Sequence, residues 1–299
     1  MSNILEGAWD LHVHSAPDVI KRKLTDLEMM QRLIANKMKG YAIKSHISST
    51  TGRAALANQL YPEATAVGTI TLNNTVGGIN PFAVEMAVRD GAKLVWLPTI
   101  DAKNESDHIA ANAAHATDKT KVPFFAKLRM ELAEKGKLQP PIYILDEKDE
   151  LIPEMHAVLD IIVEHNIALA TGHISVKEAF VVARECHKRG FKKLIITHPN
   201  FPSTTFTKEE QKELAKLGAM MEHCFTTPDT GKITWDRAFE EIRYVGVEHC
   251  IISTDLGQPA YVYPDEGIIG FANQLLTHGF SEEEVRTMIC HNPEYLING

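Results

Sequence analysis

Apolar residues along this chain fall in short runs that alternate with longer amphipathic stretches. The short runs are rich in Val, Ile and Leu, which is typical of buried strands, and the alternation predicts βα units around a parallel sheet. Eight strands are predicted, over residues 9–14, 40–46, 64–72, 93–99, 167–173, 193–198, 219–224 and 250–255. Eight such units favour an α/β fold that closes into a (β/α)8 TIM-like barrel over an open doubly wound sheet.

Helix boundaries support this division of the chain. Several predicted starts share a Ser or Thr that is followed three residues later by Glu, the capping-box pattern: Thr25, Ser175, Thr207 and Ser281. Asn80-Pro81 predicts a further start, and Asp90-Gly91 the end of that helix. Lys39-Gly40 is predicted to end the first helix before the second strand.

The stretch 100–166 breaks the alternation between the fourth and fifth predicted strands. It contains a predicted helix over about Asp107 to Thr117, then a polar stretch, then a predicted hairpin in which apolar runs flank residues 146–150. We interpret 100–166 as a cap-like insertion within one domain that spans 1–299. Long insertions lie over a site or mediate assembly, and a surface elaboration without catalytic duty is the alternative.

Composition narrows the class of protein. With 44% hydrophobic and 23% charged residues, the chain has the balance of a globular protein. Its net charge of -8 argues against a nucleic-acid partner, which needs concentrated Lys and Arg. No apolar run approaches the roughly 20 residues that span a membrane, and the first residues lack the regions of a signal peptide. Four scattered cysteines without a CxxC pair predict reduced thiols and a cytoplasmic location.

Histidine and aspartate recur near the carboxyl ends of the predicted strands. His12 and His14 end the first strand, His173 the fifth, His198 the sixth and Asp255 the eighth. In a parallel barrel these ends meet on one face, where active sites are built. Residues two apart in a strand point the same way, so both imidazoles of the HxH pair can reach one ion. A lone strand-end histidine is more often structural, but the shared depth of all five favours a metal site.

These residue types also indicate which metal and which chemistry to expect. Imidazole nitrogen and carboxylate oxygen suit zinc first, and also manganese, iron or cobalt. Such a metal lowers the pKa of a bound water from about 15.7 to about 7, which favours hydrolysis by a metal-activated water. Asp255 can ligate the ion and also accept the proton of that water.

Three further residues are candidates for binding the substrate. Lys44 and His46 lie two apart near the end of the second strand, so they face the same side. Lys44 suits an anionic group or proton transfer, and a structural ion pair is its alternative role. Glu222 and His223 point to opposite faces, and Glu222 is predicted to face the site. The sequence holds no dinucleotide-binding motif, phosphate loop or nucleophile elbow.

In the order of these residues along the strands, the chain resembles the amidohydrolase superfamily of metal-dependent hydrolases. Three runs are similar to an uncharacterised branch of it, DUF6282: 43–46, 76–81 and 95–99. The resemblance implies four metal ligands: His12, His14, His173 and Asp255. It makes His198 a further ligand, or a catalytic residue that orients water or polarises the substrate.

The resemblance also sets expectations for the number of ions and the reaction. Members with two metals usually have a bridging Lys or Glu at the end of strand four, and the run 94–99 has neither, so one ion is favoured over two. The implied activity is hydrolysis of a small polar molecule, with C–N or C–O cleavage ahead of P–O. By analogy with such barrels, a homo-oligomer is also expected.

Other functions stay open at this point. The same site also suits decarboxylation, hydration or isomerisation, because a fold does not fix the chemistry. A non-catalytic binding barrel is a third reading. A PHP-type phosphoesterase would carry Asp-x-His where Asp255 is followed by Leu256-Gly257. A TatD-like nuclease would need a basic groove.

Overall fold

The computed structural model describes residues 4–115 and 124–299. Within them, eight strands form one parallel sheet in sequence order. The strands are β1 (Trp9–Val13), β2 (Gly40–Ile43), β3 (Thr65–Thr71), β4 (Ala92–Trp96), β5 (Ala168–Ala170), β6 (Leu194–Thr197), β7 (Met220–Cys224) and β8 (Cys250–Ser253). All eight predicted strands are therefore present, and the predicted (β/α)8 barrel is confirmed.

The barrel closes between β1 and β8 at the carboxyl ends of the strands. The Asp255 N–H donates to the His12 carbonyl oxygen at 2.9 Å, and the His14 N–H donates to the Leu256 carbonyl oxygen at 2.8 Å. Asp10 strengthens this closure, because its carboxylate accepts hydrogen bonds from the Thr254 N–H and hydroxyl. We call this end of the barrel, where the strands finish, the mouth.

Helices surround the sheet, and five of those in the described residues start where the sequence predicts. Those in the described residues are α1 (Asp26–Ala35), α2 (Thr51–Leu60), α3 (Pro81–Arg89), α4 (Lys103–His115), α5 (Phe124–Glu134), α6 (Pro153–Glu164), α7 (Val176–Lys188), α8 (Lys208–Lys216), α9 (Thr226–Asp229), α10 (Trp235–Val245), α11 (Pro264–Thr277), α12 (Glu282–Arg286) and α13 (Asn292–Asn298). The capping boxes predicted from the sequence form before α1, α7, α8 and α12. No helix among the described residues is long and apolar enough to cross a bilayer.

One predicted helix end is wrong. Helix α1 ends at Ala35, and Lys37 takes the left-handed conformation there, with φ 57°. Gly40 instead begins β2, where a Cβ atom would lie 2.4 Å from the Thr65 carbonyl oxygen and 2.5 Å from the Trp9 ring. Glycine is required here because the strands pack too closely to admit a side chain. The sequence alone does not distinguish such a glycine from one that ends a helix.

The insertion between β4 and its barrel helix is somewhat shorter than predicted. It runs from residue 97 to 152 and contains α4, α5 and the predicted hairpin, which pairs Leu145 with Leu151. Helix α6 belongs to the outer ring and packs against α3. The predicted helix end at Thr117 and part of the polar stretch after it lie outside the described residues. The Phe125 ring packs edge-on against the His46 ring, with 5.2 Å between the ring centroids. Helix α5 therefore reaches the mouth.

Candidate metal centre

Three of the predicted metal ligands converge where the barrel closes. The Oδ1 atom of Asp255 lies 3.2 Å from His12 Nε2 and 3.1 Å from His14 Nε2. Both imidazoles are buried, and the Asp255 side chain is 18% exposed. The Asp255 side chain, which follows β8, therefore reaches both histidines at the end of β1 across the line where these two strands meet.

These separations fit ligands of one cation. With metal–ligand distances of about 2.0–2.1 Å, neighbouring ligand atoms in a tetrahedral site are about 3.3 Å apart. The contacts of Asp255 with His12 and His14 match that edge length. The donor set of two imidazoles and one carboxylate is also the set that zinc and similar divalent ions prefer.

The remaining two predicted ligands form a pair beside this group. The Nε2 atoms of His173 and His198 face each other at 3.2 Å, and the His198 ring lies 5.9 Å from the His12 ring, centroid to centroid. Among the described residues, the groups compact enough to hold an ion directly contain neither of the two. The structure thus brings all five residues to the mouth, as a group of three and a neighbouring pair.

Acidic side chains contact the outer nitrogens of two of these rings. Glu222 Oε2 is 3.2 Å from His12 Nδ1, and Glu105 Oε2 is 3.1 Å from His173 Nδ1. On His198, the Thr204 hydroxyl lies 3.3 Å from Nδ1. A neutral imidazole carries one ring proton, so an acceptor at Nδ1 leaves the lone pair on Nε2, which points to the centre. The rings of His12 and His198 are therefore oriented as metal ligands require, and the nearby Glu105 carboxylate favours the same tautomer of His173.

The fourth ring, His14, has a different neighbour. An Arg22 nitrogen lies 3.4 Å from His14 Nδ1 and can only donate. This contact favours a proton on Nε2, facing Asp255. Ligation through Nε2 would therefore require the ring proton to move to Nδ1 and Arg22 to turn toward its ion-pair partner Asp18, at 2.7 Å.

Lys44 lies inside the barrel, beside the candidate ligands. Its Nζ atom is 2.8 Å from His12 Nε2 and 3.7 Å from the centroid of the Trp96 ring. Burial lowers the pKa of Lys44 to about 8, although Asp255 and Glu222 favour its charged form. A cation on His12 Nε2 would displace this contact, because the nitrogen has one lone pair.

The other predicted substrate-binding residues are placed as follows. The His46 ring packs against the His14 ring, with 4.8 Å between the ring centroids. The Thr99 hydroxyl lies 2.9 Å from the Nδ1 atom of His46. Glu222 is buried and faces the centre, and its Oε1 atom has no hydrogen-bond partner among the described residues. His223 points away, toward Asn200. An unpaired buried carboxylate oxygen beside His12 is consistent with a cation nearby.

Electrostatics keep most of these imidazoles neutral, as metal ligands must be. Burial lowers the pKa of His14 to about 3 and places the pKa values of His46 and His198 well below 6.5. His12 differs, because Asp255 and Glu222 offset burial and Lys44 and raise its pKa. The pKa of Asp255 is well below its usual range, because its contacts with His12 and His14 outweigh burial.

Backbone strain also concentrates at the mouth. His198 and Asp255 take positive φ values of 27° and 55°, which is uncommon for residues with a side chain. Gly257 has φ 131°, and a Cβ atom there would lie 1.7 Å from the His14 carbonyl oxygen. The chain therefore bends sharply to bring Asp255 to the HxH pair.

Sequence reasoning missed three residues of this site. Glu105 comes from the insertion, and Cys224 Sγ lies 3.7 Å from His12 Nδ1. Asp10 is buried beneath the HxH pair, where its carboxylate accepts from the His12 N–H at 3.2 Å. The Asp-x-His-x-His spacing was a usable signal for Asp10. No local pattern indicated Glu105, which is 68 residues before His173 in the chain.

Comparison with known proteins identifies the family. The model of DUF6282, a family of unknown function, matches residues 7–222, more than two thirds of the chain. The chain belongs to DUF6282. A search of the curated proteins gives no match for this DUF6282 protein.

Solved structures resemble this DUF6282 protein over nearly its whole length. A dipeptidase described as a metallopeptidase has a TM-score of 0.62 at 11% identity, covering 98% of both chains. A lactonase from Listeria monocytogenes has a TM-score of 0.58 at 12% identity, covering 100% of this chain and 96% of that chain. An amidohydrolase from Pseudomonas aeruginosa has a TM-score of 0.60 at 10% identity, and the match covers 99% of this chain and 96% of that chain. At these identities the likeness establishes the fold, which is the one the sequence resemblance implied.

Proposed function

We propose that this DUF6282 protein is a metal-dependent hydrolase that acts on a small polar substrate, with C–N or C–O cleavage ahead of P–O. The observation that carries the proposal is the convergence of His12, His14 and Asp255 at tetrahedral-edge distances on the mouth of the barrel. The similar structures include a dipeptidase, a lactonase and an amidohydrolase, which cleave C–N or C–O bonds. Zinc is the proposed ion, with manganese, iron or cobalt as alternatives.

Each residue has a defined part in this proposal. His12, His14, His173 and Asp255 would hold a divalent ion, which would supply a Lewis acid and lower the pKa of water at the site. Asp255, whose Oδ1 lies between the two histidines, would also accept the proton of the attacking water, and His198 would ligate or polarise the substrate. Lys44, once displaced from His12, would bind an anionic substrate group.

The other two substrate-binding candidates act at different depths. His46 lies on the rim beside Phe125 of the insertion, where it contacts an entering substrate. Glu222 contacts His12 Nδ1 through Oε2, and its Oε1 atom, which has no hydrogen-bond partner among the described residues, would bind a polar group of the substrate. One ion is favoured over two, since the end of β4 offers no bridging carboxylate.

Metal analysis and a substrate screen test the proposal together. Purified protein is assayed for bound metal, then for hydrolysis of amides, lactones, esters and phosphoesters with and without a chelator. The diagnostic variant is Asp255→Asn, because asparagine tolerates the positive φ of this position while removing the charge. The matched control is His249→Ala, at the opposite end of the barrel.

We expect wild type and His249→Ala to bind metal and hydrolyse at least one substrate class, and Asp255→Asn to lose both properties. A folded wild type that binds no divalent ion would refute the proposal. Turnover that survives both chelation and Asp255→Asn would do so as well.

The position of Lys44 favours a second candidate. A buried ammonium beside His12 suits a substrate carboxylate, as in decarboxylation at the same centre. Mass analysis of products separates the two: loss of carbon dioxide without addition of water supports this candidate.

A reducing compartment is part of the proposal, supported by four cysteines that are free and buried. A homo-oligomer and the lack of a nucleic-acid partner stay predictions.

A further inference from the structure

The first turn of α4 connects the insertion to the candidate centre. Glu105 lies there with its side chain 13% exposed, and its Oε2 atom is 3.1 Å from His173 Nδ1. The contact has the distance of an ion pair but not the geometry of a hydrogen bond, and neither atom has a hydrogen-bond partner among the described residues. The Ser203 side chain also lies close to the Glu105 carboxylate, but Glu105 is the acidic group that His173 Nδ1 faces.

This contact resembles the one on the other side of the centre. Glu222 stands behind His12 at 3.2 Å, as Glu105 stands behind His173 at 3.1 Å. In each case the carboxylate contacts Nδ1, and Nε2 faces inward. A carboxylate at the outer nitrogen fixes the tautomer and orientation of a ligating imidazole, and it makes the inner nitrogen more basic.

We infer that Glu105 is a positioning residue that holds His173 for cation binding, so that the insertion contributes directly to the affinity of the centre. The inference rests on the proposed function and adds to it, because it assigns a role to a helix outside the barrel. Glu105 touches neither the cation nor the substrate. It acts through the His173 ring.

A simpler role for this turn would be to anchor α4 to the barrel. Asn104, the preceding residue, already does this, because its side-chain amide donates to the carbonyl oxygens of His173 at 3.1 Å and of Ser203 at 2.6 Å. The Asn104 side chain thus binds only backbone oxygens of the barrel loops, and it makes no hydrogen bond with the His173 ring. It therefore provides a matched control that separates anchoring from positioning.

The test compares metal-free wild type with Glu105→Ala, Glu105→Gln and Asn104→Ala. The affinity for Zn²⁺ is measured by competition with a chromophoric chelator, the visible spectrum is recorded with Co²⁺, and thermal unfolding midpoints are recorded without metal. None of these readouts depends on turnover.

We expect Glu105→Ala to weaken Zn²⁺ binding by about 10- to 100-fold, the usual effect of losing such a partner, and to change the Co²⁺ spectrum. Glu105→Gln should lose less, because its amide oxygen can still accept from Nδ1. Asn104→Ala should lower the unfolding midpoint but bind Zn²⁺ within about threefold of wild type.

Two results would overturn the inference while leaving the proposed function intact. One is Glu105→Ala with wild-type affinity and spectrum, and the other is Asn104→Ala with an equal loss of affinity. A wild type that binds neither Zn²⁺ nor Co²⁺ would instead remove the proposed function, and this inference with it.

Discussion

Replacement of Lys44 by methionine is expected to strengthen divalent-cation binding, even though Lys44 lies at the centre of the site. Its ammonium nitrogen is 2.8 Å from His12 Nε2, the nitrogen that the proposed function assigns to the cation. One lone pair cannot accept a hydrogen bond and bind a cation at the same time. Methionine has similar length and removes both the competing donor and the positive charge.

The magnitude follows from the geometry. A cation about 2.1 Å from Nε2 lies within about 5 Å of the Lys44 nitrogen if the lysine does not move. At that distance a unit charge repels a divalent charge by about 1.7 kcal/mol in a medium as polar as water, and by more in a less polar one. Deprotonation of Lys44 limits this cost, because with a pKa of about 8 it takes only about 1.4 kcal/mol at about pH 7. The Kd of Lys44→Met should therefore be about tenfold lower than that of wild type.

The effect should depend on pH. Burial lowers the pKa of Lys44 to about 8, so the repelling ammonium form predominates near pH 7 and is lost as the pH rises above that pKa. The gain in affinity should thus be largest at about pH 7 and smaller at about pH 9.

The assay is chelator competition for Zn²⁺ with metal-free proteins, alongside their unfolding midpoints, because Glu222 loses a neutralising charge in the variant. Lys44→Arg keeps the charge and should show no gain. Lys216→Met, an exposed change at the end of α8, should leave the Kd unchanged. If the Kd of Lys44→Met at about pH 7 equals or exceeds that of wild type, Lys44 does not compete with the cation for His12 Nε2.

Three further outcomes are expected. Burial raises the pKa of Asp10 to about 7, so the contribution of Asp10 to the stability of wild type should fall as the pH rises from about 4 to about 7. Asp10→Asn should therefore gain on the order of 3 kcal/mol relative to wild type between about pH 4.5 and about pH 7.5, as measured by urea unfolding. Gly257→Ala places a Cβ atom 1.7 Å from the His14 carbonyl oxygen and should cost at least about 3 kcal/mol. Gly279→Ala, also at positive φ but with open space around it, should cost only about 1–2 kcal/mol. Zn²⁺ at about 100 times its Kd should stabilise wild type by about 2.7 kcal/mol in the same assay and leave Asp255→Asn unchanged.

The barrel could be predicted from the sequence because its signals are local. Each strand is a short apolar run, and the capping boxes before α1 and α7 mark where helices begin. The positions of His12, His14 and Asp255 at strand ends followed from the same runs, since the topology of a parallel barrel brings these ends together.

The contacts within the site could not be predicted, because they depend on irregular backbone and distant segments. The register of β1 against β2 shifts between Asp10 and Val13, so strict alternation does not fix where His12 points. The position of the Lys44 ammonium over the Trp96 ring depends on how side chains from different strands pack inside the barrel. Glu105 arrives from the insertion, whose path no periodicity specifies.

The seam between the first and last strands passes through the candidate centre, so a bound ion would act there as a cross-link. His14 and Asp255 are 241 residues apart in a chain of 299, and joining them would close about four fifths of the polypeptide into a ring. By the loop-entropy relation for cross-links, a tie of this span contributes about 5 kcal/mol against unfolding. In a circular permutant with new termini on the far side of the barrel, the two strands would become neighbours in sequence. The same ion would then close a loop of about 60 residues and contribute about 4 kcal/mol, roughly 1 kcal/mol less.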